Sequence, residues 1–418
     1  MKIRDRGFVP LVITQAASNV CTSTNTFIAI WLLSTPSLPT LLLGVNQGVF
    51  LATLMLGTRL NPLVVNWLGL RRSTLLLLLL EGLGLAGLGV WIAGQATPEP
   101  SFHDAVGIVV LAGITTFAGG LNGPSWVTVV ARWGGDPAGR SRRLMADSAA
   151  FQFAAAVGPL VGSIFVSSAS LLWLLPCLNM ATNAAAAAVV GWGTRRYPLT
   201  AAKLPEESQC AKASPTRANA DDTWKPNQGG LLISVRSLPL ITLLVLAAFA
   251  DPLRTVLPLI VREAGGAAGT LASTSAALAV AAALATALAS DSAWAIRISH
   301  WMRAGGTFLV LSLGTLAWLL GGSIVAFIAG ALLLGLGSAT LYGQLMAAAS
   351  EADQAEGRET RYVADAILLR ALISSLFAFI LTSGWGDAAR AATIVGASAL
   401  SVMGVYAVGR SIQRRLTS

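Results

Sequence analysis

Charge is scarce in this chain: only 11% of its 418 residues are Asp, Glu, Lys or Arg, while 55% are hydrophobic. A water-soluble protein of this length needs more charge to cover its surface. Cysteine and histidine are also rare, with 3 and 2 copies. Because the cysteines fall in apolar runs or a polar stretch and the histidines lie far apart, no disulfide framework, metal site or other cofactor is predicted.

Apolar runs of about 20 residues recur along the chain, and each is long enough to cross ~30 Å of hydrocarbon. They predict an all-α, multi-pass integral membrane protein, with no cleavable signal peptide after Met1 to Arg6. Twelve spans are expected, at Phe8–Leu33, Thr40–Asn61, Ser73–Gly94, Ala105–Ala131, Ser148–Ser168, Leu171–Trp192, Leu238–Val261, Leu271–Ala289, Gly305–Leu320, Ile324–Ala348, Tyr362–Leu381 and Ala391–Val408.

One long polar stretch, Thr194 to Gly230, interrupts this pattern and is too rich in charge, Pro and Ser to pack a core. It divides the chain into residues 1–193, an N-terminal six-helix lobe, a linker of residues 194–230, and residues 231–418, a C-terminal six-helix lobe. The two halves resemble a repeat, an arrangement typical of secondary transporters with a site at the repeat interface.

Most of the 28 basic residues lie in the termini, the linker and the loops on one side of the predicted spans. The positive-inside rule therefore predicts that both termini and the linker are cytoplasmic, in a bacterial cytoplasmic (inner) membrane. The net charge of +9 then faces anionic membrane lipid rather than nucleic acid. Loops on the opposite side are short, so no enzyme active site outside the bilayer is expected, and we expect the chain to work as a monomer.

Two segments resemble signatures of the major facilitator superfamily. In NPLVVNWLGLRRS, Gly69, Arg71 and Arg72 match the loop between spans two and three, although Asn stands where the signature has an acid. In AAAVGPLVGSIF of span five, Gly158 and Pro159 match, with Gly162, the Gly-Pro-x-x-Gly signature of its exporters. The alternatives are an ordinary basic turn and a helix kink without a coupling role.

The wider run from Gly119 to Val166 resembles the branch that contains enterobactin-type siderophore exporters and macrolide efflux permeases. This resemblance implies a twelve-helix major facilitator fold, proton antiport, and a cavity lined by spans one, four, seven and ten. Because Pro bends a helix and small residues permit close approach, the Gly-Pro segment predicts a pliable, tightly packed seam between the lobes. The acid that many such exporters carry in span one is missing here.

Span one nonetheless carries a polar stripe, in which Gln15, Asn19, Thr22 and Thr26 fall on one helical face. Amides that face lipid are costly, so the stripe is predicted to face a water-filled cavity or another helix. The alternative to a substrate-binding role is a set of interhelical hydrogen bonds that hold the bundle together.

Ionisable residues within spans each cost at least ~2.5 kcal/mol unless paired or hydrated, so they are functional candidates. Asp251 and Arg254 share a face of span seven, where they form either a structural ion pair or a proton-coupling acid with its neighbouring cation. Glu81, the second proton-coupling candidate, lies on a peripheral span and is predicted to be protonated or to meet Arg59. Arg370 in span eleven has no partner nearby in sequence and is assigned to the cavity.

Asp147, at the start of span five, either caps that helix or meets Arg71 or Arg72 at a cytoplasmic gate. The sequence thus predicts a proton-coupled secondary transporter that exports a small organic molecule, a siderophore-like or drug-like amphiphile. Proton-coupled uptake by the same fold is one alternative. The other is an integral-membrane lipid enzyme, which needs clustered acids or histidines at a membrane face. The sequence has no phosphate-binding loop, so ATP-driven pumping by this chain alone is not expected.

Overall fold

The computed structural model describes residues 7–95, 100–133, 140–196, 240–288, 305–355 and 361–417, and the regular structure in these ranges is helical. We label the twelve main helices in chain order. They are α1 (Phe8–Leu33), α2 (Leu41–Leu68), α3 (Leu70–Gly94), α4 (Phe102–Arg132), α5 (Arg140–Ser167), α6 (Leu174–Arg196), α7 (Leu240–Val245, Leu246–Ala250 and Asp251–Glu263, which run on without a break), α8 (Ala268–Leu288), α9 (Thr307–Leu320), α10 (Ile324–Ala355), α11 (Arg361–Ser383) and α12 (Asp387–Thr417). The predicted all-α membrane architecture is confirmed.

Within the described residues, nine helices are long and apolar enough to cross a membrane, and α9 and part of α11 form shorter apolar helices. Helix α1 is long enough to cross a membrane, with 26 residues, but it is not among the nine because its polar side chains lower its mean hydropathy. A helix that polar is stable in a bilayer only where protein or water, rather than lipid, contacts its polar face.

Several helices extend beyond the predicted spans. Helix α2 continues through Pro62 to Leu68, α5 already begins at Arg140, and α12 reaches Thr417. Hydropathy marks only the part of a helix that lies in hydrocarbon, whereas the backbone hydrogen bonds continue as long as the chain remains helical.

The helices form two six-helix lobes, α1 to α6 and α7 to α12, which contact each other chiefly along α5 with α8 and along α2 with α11. The interior of each lobe is packed tightly: α2 approaches α4, α3 approaches α6, and α10 packs between α8 and α9. Residues 197–239, which include most of the predicted linker, lie outside the described residues, so the proposed lobe boundaries stay a prediction.

We name the two ends of the bundle by their sequence. The basic face is the end at which α1 begins and at which α3 carries Arg71 and Arg72, and the short-loop face is the end at which α1 ends. Three interlobe hydrogen bonds lie at the short-loop face: Thr40 Oγ1 donates to the Thr382 carbonyl (2.6 Å), and Arg262 donates to the Ser34 hydroxyl (2.9 Å) and the Trp31 carbonyl (2.8 Å). The lobes are therefore joined at the short-loop face.

Candidate functional site

Two adjoining cavities lie inside the bundle, and Asn46 of α2 lines both. The first, cavity 1, has a volume of about 400 Å³ and lies between the lobes, with α1 and α2 on one side and α7, α10 and α11 on the other. The second, cavity 2, has a volume of about 580 Å³ and is enclosed by α1 to α5 of the N-terminal lobe. Both fall in the size range of small-molecule sites.

Asp251 enters cavity 1 from α7 directly after a π-helical turn, Leu246–Ala250. Pro252 follows it and has no N–H to donate to the preceding turn, so the regular α-helical hydrogen bonding is interrupted here. Single π-turns inside α-helices occur frequently at functional sites, because they re-aim the side chains beside them. Asp251 thus stands at an irregular point of α7, between the π-turn and Pro252.

Asp251 pairs with Arg370 of α11 through two hydrogen bonds, from Arg370 Nε to Oδ2 and from Arg370 Nη2 to Oδ1, both 2.8 Å long. The guanidinium also stacks over the ring of Tyr342 in α10, at 4.7 Å. The side chains of Arg370 and Asp251 are only 25% and 13% exposed. Such a bidentate, partly buried pair ties α7, α10 and α11 together at the cavity wall.

Of the two alternatives for Asp251 and Arg254, the structural ion pair is not formed: the partner of Asp251 lies on α11, 119 residues away in sequence. Arg254 also lines cavity 1, but its guanidinium donates to the hydroxyl of Ser338 in α10. Among the described side chains, no carboxylate lies within ion-pair distance of Arg254.

The polar stripe of α1 lies in cavity 2, where Gln15, Asn19, Thr22 and Thr26 line the wall. Gln15 Nε2 donates to Asn19 Oδ1 at 3.2 Å. A neighbouring face of α1 is polar as well, and it packs on α6: Ser18 donates to Asn183 Oδ1 and Asn25 to Asn179 Oδ1, both at 3.0 Å. The two interpretations of the stripe thus apply to two different faces of the same helix.

Glu81 lies at the wall of cavity 2 although α3 is a peripheral helix. Asn122 Nδ2 of α4 donates to its Oε2 at 3.2 Å. The alternative pairing with Arg59 is wrong, because Arg59 is exposed on α2 and lines neither cavity. Among the described residues, the ionisable side chains that line cavity 2 are Glu81 and Asp147, two acids without a base.

At the basic face, Asp147 accepts a hydrogen bond from Trp126 Nε1 at 2.8 Å, and Arg71 donates to the Gly191 carbonyl at 3.1 Å. Gly69, with a φ of 76°, allows the sharp turn between α2 and α3. Arg72 lines a shallow crevice beside it together with Arg71 and Arg195. The gate between Asp147 and these arginines is not formed in this conformation and stays a prediction.

The glycines of the Gly-Pro-x-x-Gly segment pack against α1. An added Cβ at Gly158 lies 2.4 Å from Ser23 Cβ, and one at Gly162 lies 2.6 Å from Phe27 Cδ1, so both glycines press against α1. The close contacts of Gly158 and Gly162 are thus within the N-terminal lobe, and a role of Gly158, Pro159 and Gly162 in a seam between the lobes stays a prediction. The contact of α5 with α8 of the other lobe is a separate one.

The sequence analysis did not identify Asn46 and Gln47 of α2 or Tyr342 of α10, which line cavity 1, or Ser338 of α10, which accepts a hydrogen bond from Arg254. The two amides side by side in an apolar span are a signal that could have identified them. Ser338 and Tyr342 are common side chains of apolar helices, and only the packing of α10 against α7 and α11 brings them to Arg254 and Arg370. Among the described residues, no group of three or more His, Cys, Asp and Glu could hold a metal ion.

No protein-family model and no curated protein sequence matches this chain. Solved structures of transporters nevertheless superpose on nearly all of it. A bacterial homologue of the iron transporter ferroportin in its inward-facing state matches with a TM-score of 0.61 and 13% identity, over 98% of this chain and 100% of the other. The D-xylose–proton symporter matches with 0.62 and 14% over 96% of both. The human organic anion transporter MFSD10 (TETRAN) matches with 0.55 and 16% over 98% and 100%.

The class defined by these observations is a multi-pass membrane protein of two six-helix lobes with a cavity between them. More particularly, the structural likeness shows that the chain has the fold of the major facilitator superfamily. At these identities the likeness is one of fold, and no single branch of the superfamily is favoured.

Proposed function

We propose that this protein is a proton-coupled secondary transporter that exports a small organic molecule from the cytoplasm by alternating access. The observation that carries the proposal is cavity 1: a space between two lobes, lined from both, whose wall holds an ion-paired acid. Binding sites at the lobe interface, near the middle of the bilayer, are typical of secondary transporters.

Alternating access needs contacts that close one face while the other is open. The hydrogen bonds of Arg262 and Thr40 join the lobes at the short-loop face, where Arg262 also lies over the Trp31 ring at 3.8 Å. Toward the basic face, cavity 2 is lined by Gln15 of α1, Val127 of α4 and Leu144 of α5. With the basic face cytoplasmic, as the distribution of Arg and Lys favours, a conformation closed at the short-loop face corresponds to the inward-facing state of the proposed cycle.

Two acids are proposed as proton carriers. Asp251 is held by Arg370, so a proton can replace that guanidinium only when the two helices separate, which links proton binding to movement of α11 against α7. Glu81 contacts a neutral amide instead of a cation, and an acid within a span without a cationic partner is a candidate for a proton relay. A proton then binds to one of these two acids and leaves from the other as the conformation changes.

We propose that the direction of transport is outward. Export is supported by the exporter-like Gly-Pro segment and the run from Gly119 to Val166. A siderophore-like or drug-like amphiphile suits cavity 1, which has charged side chains, together with cavity 2, which has both polar and aromatic ones. The main alternative is proton-coupled uptake, because a D-xylose–proton symporter has the same fold.

The test is transport in membrane vesicles of both orientations, with an imposed pH gradient and a panel of neutral, anionic and cationic fluorescent amphiphiles. Export predicts gradient-driven accumulation in inside-out vesicles, collapsed by a protonophore. Asp251→Asn should abolish that accumulation while substrate binding is largely retained, and Arg254→Ala should damage both. Gradient-driven accumulation only in right-side-out vesicles supports uptake, and accumulation that ignores the gradient contradicts the proposal.

A further inference from the structure

The charges around cavity 1 do not balance. Among the residues that the structure describes, its ionisable lining residues are Asp251, Arg254 and Arg370, with Tyr342, and both oxygens of the one carboxylate accept hydrogen bonds from a single edge of Arg370, formed by Nε and Nη2. One positive charge, that of Arg254, is left at the cavity wall. A cation in the membrane interior is costly unless it is paired or hydrated, and such residues mark substrate or ion pathways.

Within the described residues, no carboxylate lies at ion-pair distance from Arg254. Asp251, three residues before it on α7, acts on it electrostatically but is hydrogen-bonded to Arg370. The Arg254 guanidinium donates to Ser338, a neutral hydroxyl group. Across the cavity, α2 presents the neutral amides Asn46 and Gln47. The acids Glu81 and Asp147 line cavity 2, which is a different space.

We infer that the substrate carries an anionic group, such as a carboxylate, phosphate or sulfonate, and that Arg254 is the residue that binds it. The planar guanidinium suits an oxyanion because it can offer two parallel N–H donors. This inference rests on the proposed function, since it assigns the chemical class of the transported molecule to the same cavity.

The adjoining cavity indicates what the remainder of the substrate is like. Beyond Asn46, cavity 2 offers the aromatic side chains of Phe50, Trp126 and Phe151 between the amides and hydroxyls of α1. An anionic group held at Arg254 in cavity 1 thus leaves an apolar or aromatic body to extend over these rings. The fitting ligand is a small amphiphilic organic anion.

The first test needs no substrate. If Arg254 is kept for an anion, it is an uncompensated cation in the ligand-free protein, and Arg254→Gln should melt at the same temperature as the wild type or higher. If its contact with Ser338 is instead structural, Arg254→Gln should melt clearly lower, and that result overturns the inference. Arg59→Gln, at an exposed arginine of α2 outside both cavities, is the matched control.

The second test measures binding to the purified full-length chain in nanodiscs, with naphthoate and naphthalenesulfonate as anionic probes and naphthamide as their neutral counterpart. The anions should bind at least about tenfold more tightly than the amide to the wild type and to Arg59→Gln, a preference worth ~1.4 kcal/mol. Arg254→Gln should lose this preference, and Arg254→Lys should keep part of it. Equal binding of anions and amide, failure of both anions to bind, or an unchanged preference in Arg254→Gln overturns the inference.

These outcomes are separable from the failure of the proposed function. Arg254-dependent anion binding without gradient-driven flux in vesicles refutes transport and leaves the anion site standing. Gradient-driven flux of neutral or cationic compounds that is unaffected by Arg254→Gln supports transport and refutes the anion site.

Discussion

The ion pair between Asp251 and Arg370 gives the sharpest prediction about the energetics of the cavity. In Asp251→Asn the guanidinium of Arg370 loses its anionic partner. Arg370 and Arg254 then both line cavity 1 as cations, without the carboxylate that lies between α7 and α11 in the wild type. Breaking a buried pair by removing one partner costs ~3–5 kcal/mol. Because the side chains of Arg370 and Asp251 are 25% and 13% exposed, water screens part of this, and we expect a loss of about 2–3 kcal/mol.

A second ion pair, between Glu263 of α7 and Arg390 of α12, is the control. Glu263 lies 3.9 Å from Arg390, and these side chains are 44% and 43% exposed, so its contribution should be only ~0–1 kcal/mol. Glu263→Gln should therefore change the free energy of unfolding much less than Asp251→Asn. The measurement is unfolding in mixed micelles by titration with a denaturing detergent, for both variants.

A double-mutant cycle then isolates the pair itself. Asp251→Asn combined with Arg370→Gln removes both charges, so the double variant should be less destabilised than the sum of the single variants, by about 2 kcal/mol. Additive effects, or single substitutions that each cost no more than Glu263→Gln, would refute the view that this pair stabilises the contact of α7 with α11.

Three further predictions concern coupling, packing and topology. Glu81→Gln keeps a hydrogen-bond acceptor for its amide partner, so we expect normal folding but altered pH dependence of vesicle transport; an unchanged pH profile argues against Glu81 as a proton carrier. Gly158→Ala places a methyl group against Ser23 and should destabilise the protein by ~1–3 kcal/mol, whereas Gly87→Ala, with open space around it, should be neutral or slightly stabilising in the same unfolding assay. Cys210 should resist a membrane-impermeant thiol reagent in intact cells, and its ready modification would reverse the proposed orientation.

The architecture was predictable because each helix is determined by residues that are close together in the sequence. Apolar runs long enough to cross hydrocarbon gave the twelve helices, and even polar α1 was found, since its length and flanks fit a span. What hydropathy cannot give is where a helix ends in water, which explains why Pro62 did not end α2.

The contacts of the site were much less predictable, because they join residues far apart in sequence. The sequence offered an ion pair of Asp251 with Arg254, its neighbour on the helix, as one alternative, whereas in the structure Asp251 follows a π-turn and pairs with Arg370. Glu81 was placed on a peripheral helix, and nothing local in the sequence indicates that Asn122 draws it to a cavity. Periodicity identifies the face of a helix, but the choice between neighbours is made by packing.

The most direct test of the central claim, proton-coupled alternating access, is the distance between spin labels across the short-loop face. Labels at Ser37 and Ser383, both exposed and next to the contact between Thr40 and Thr382, are placed in a chain whose native cysteines are replaced. The account predicts a short distance for the closed face and a second, longer one whose population changes with pH, and Asp251→Asn should remove that pH dependence. A single distance at every pH from mildly acidic to mildly alkaline would contradict the account.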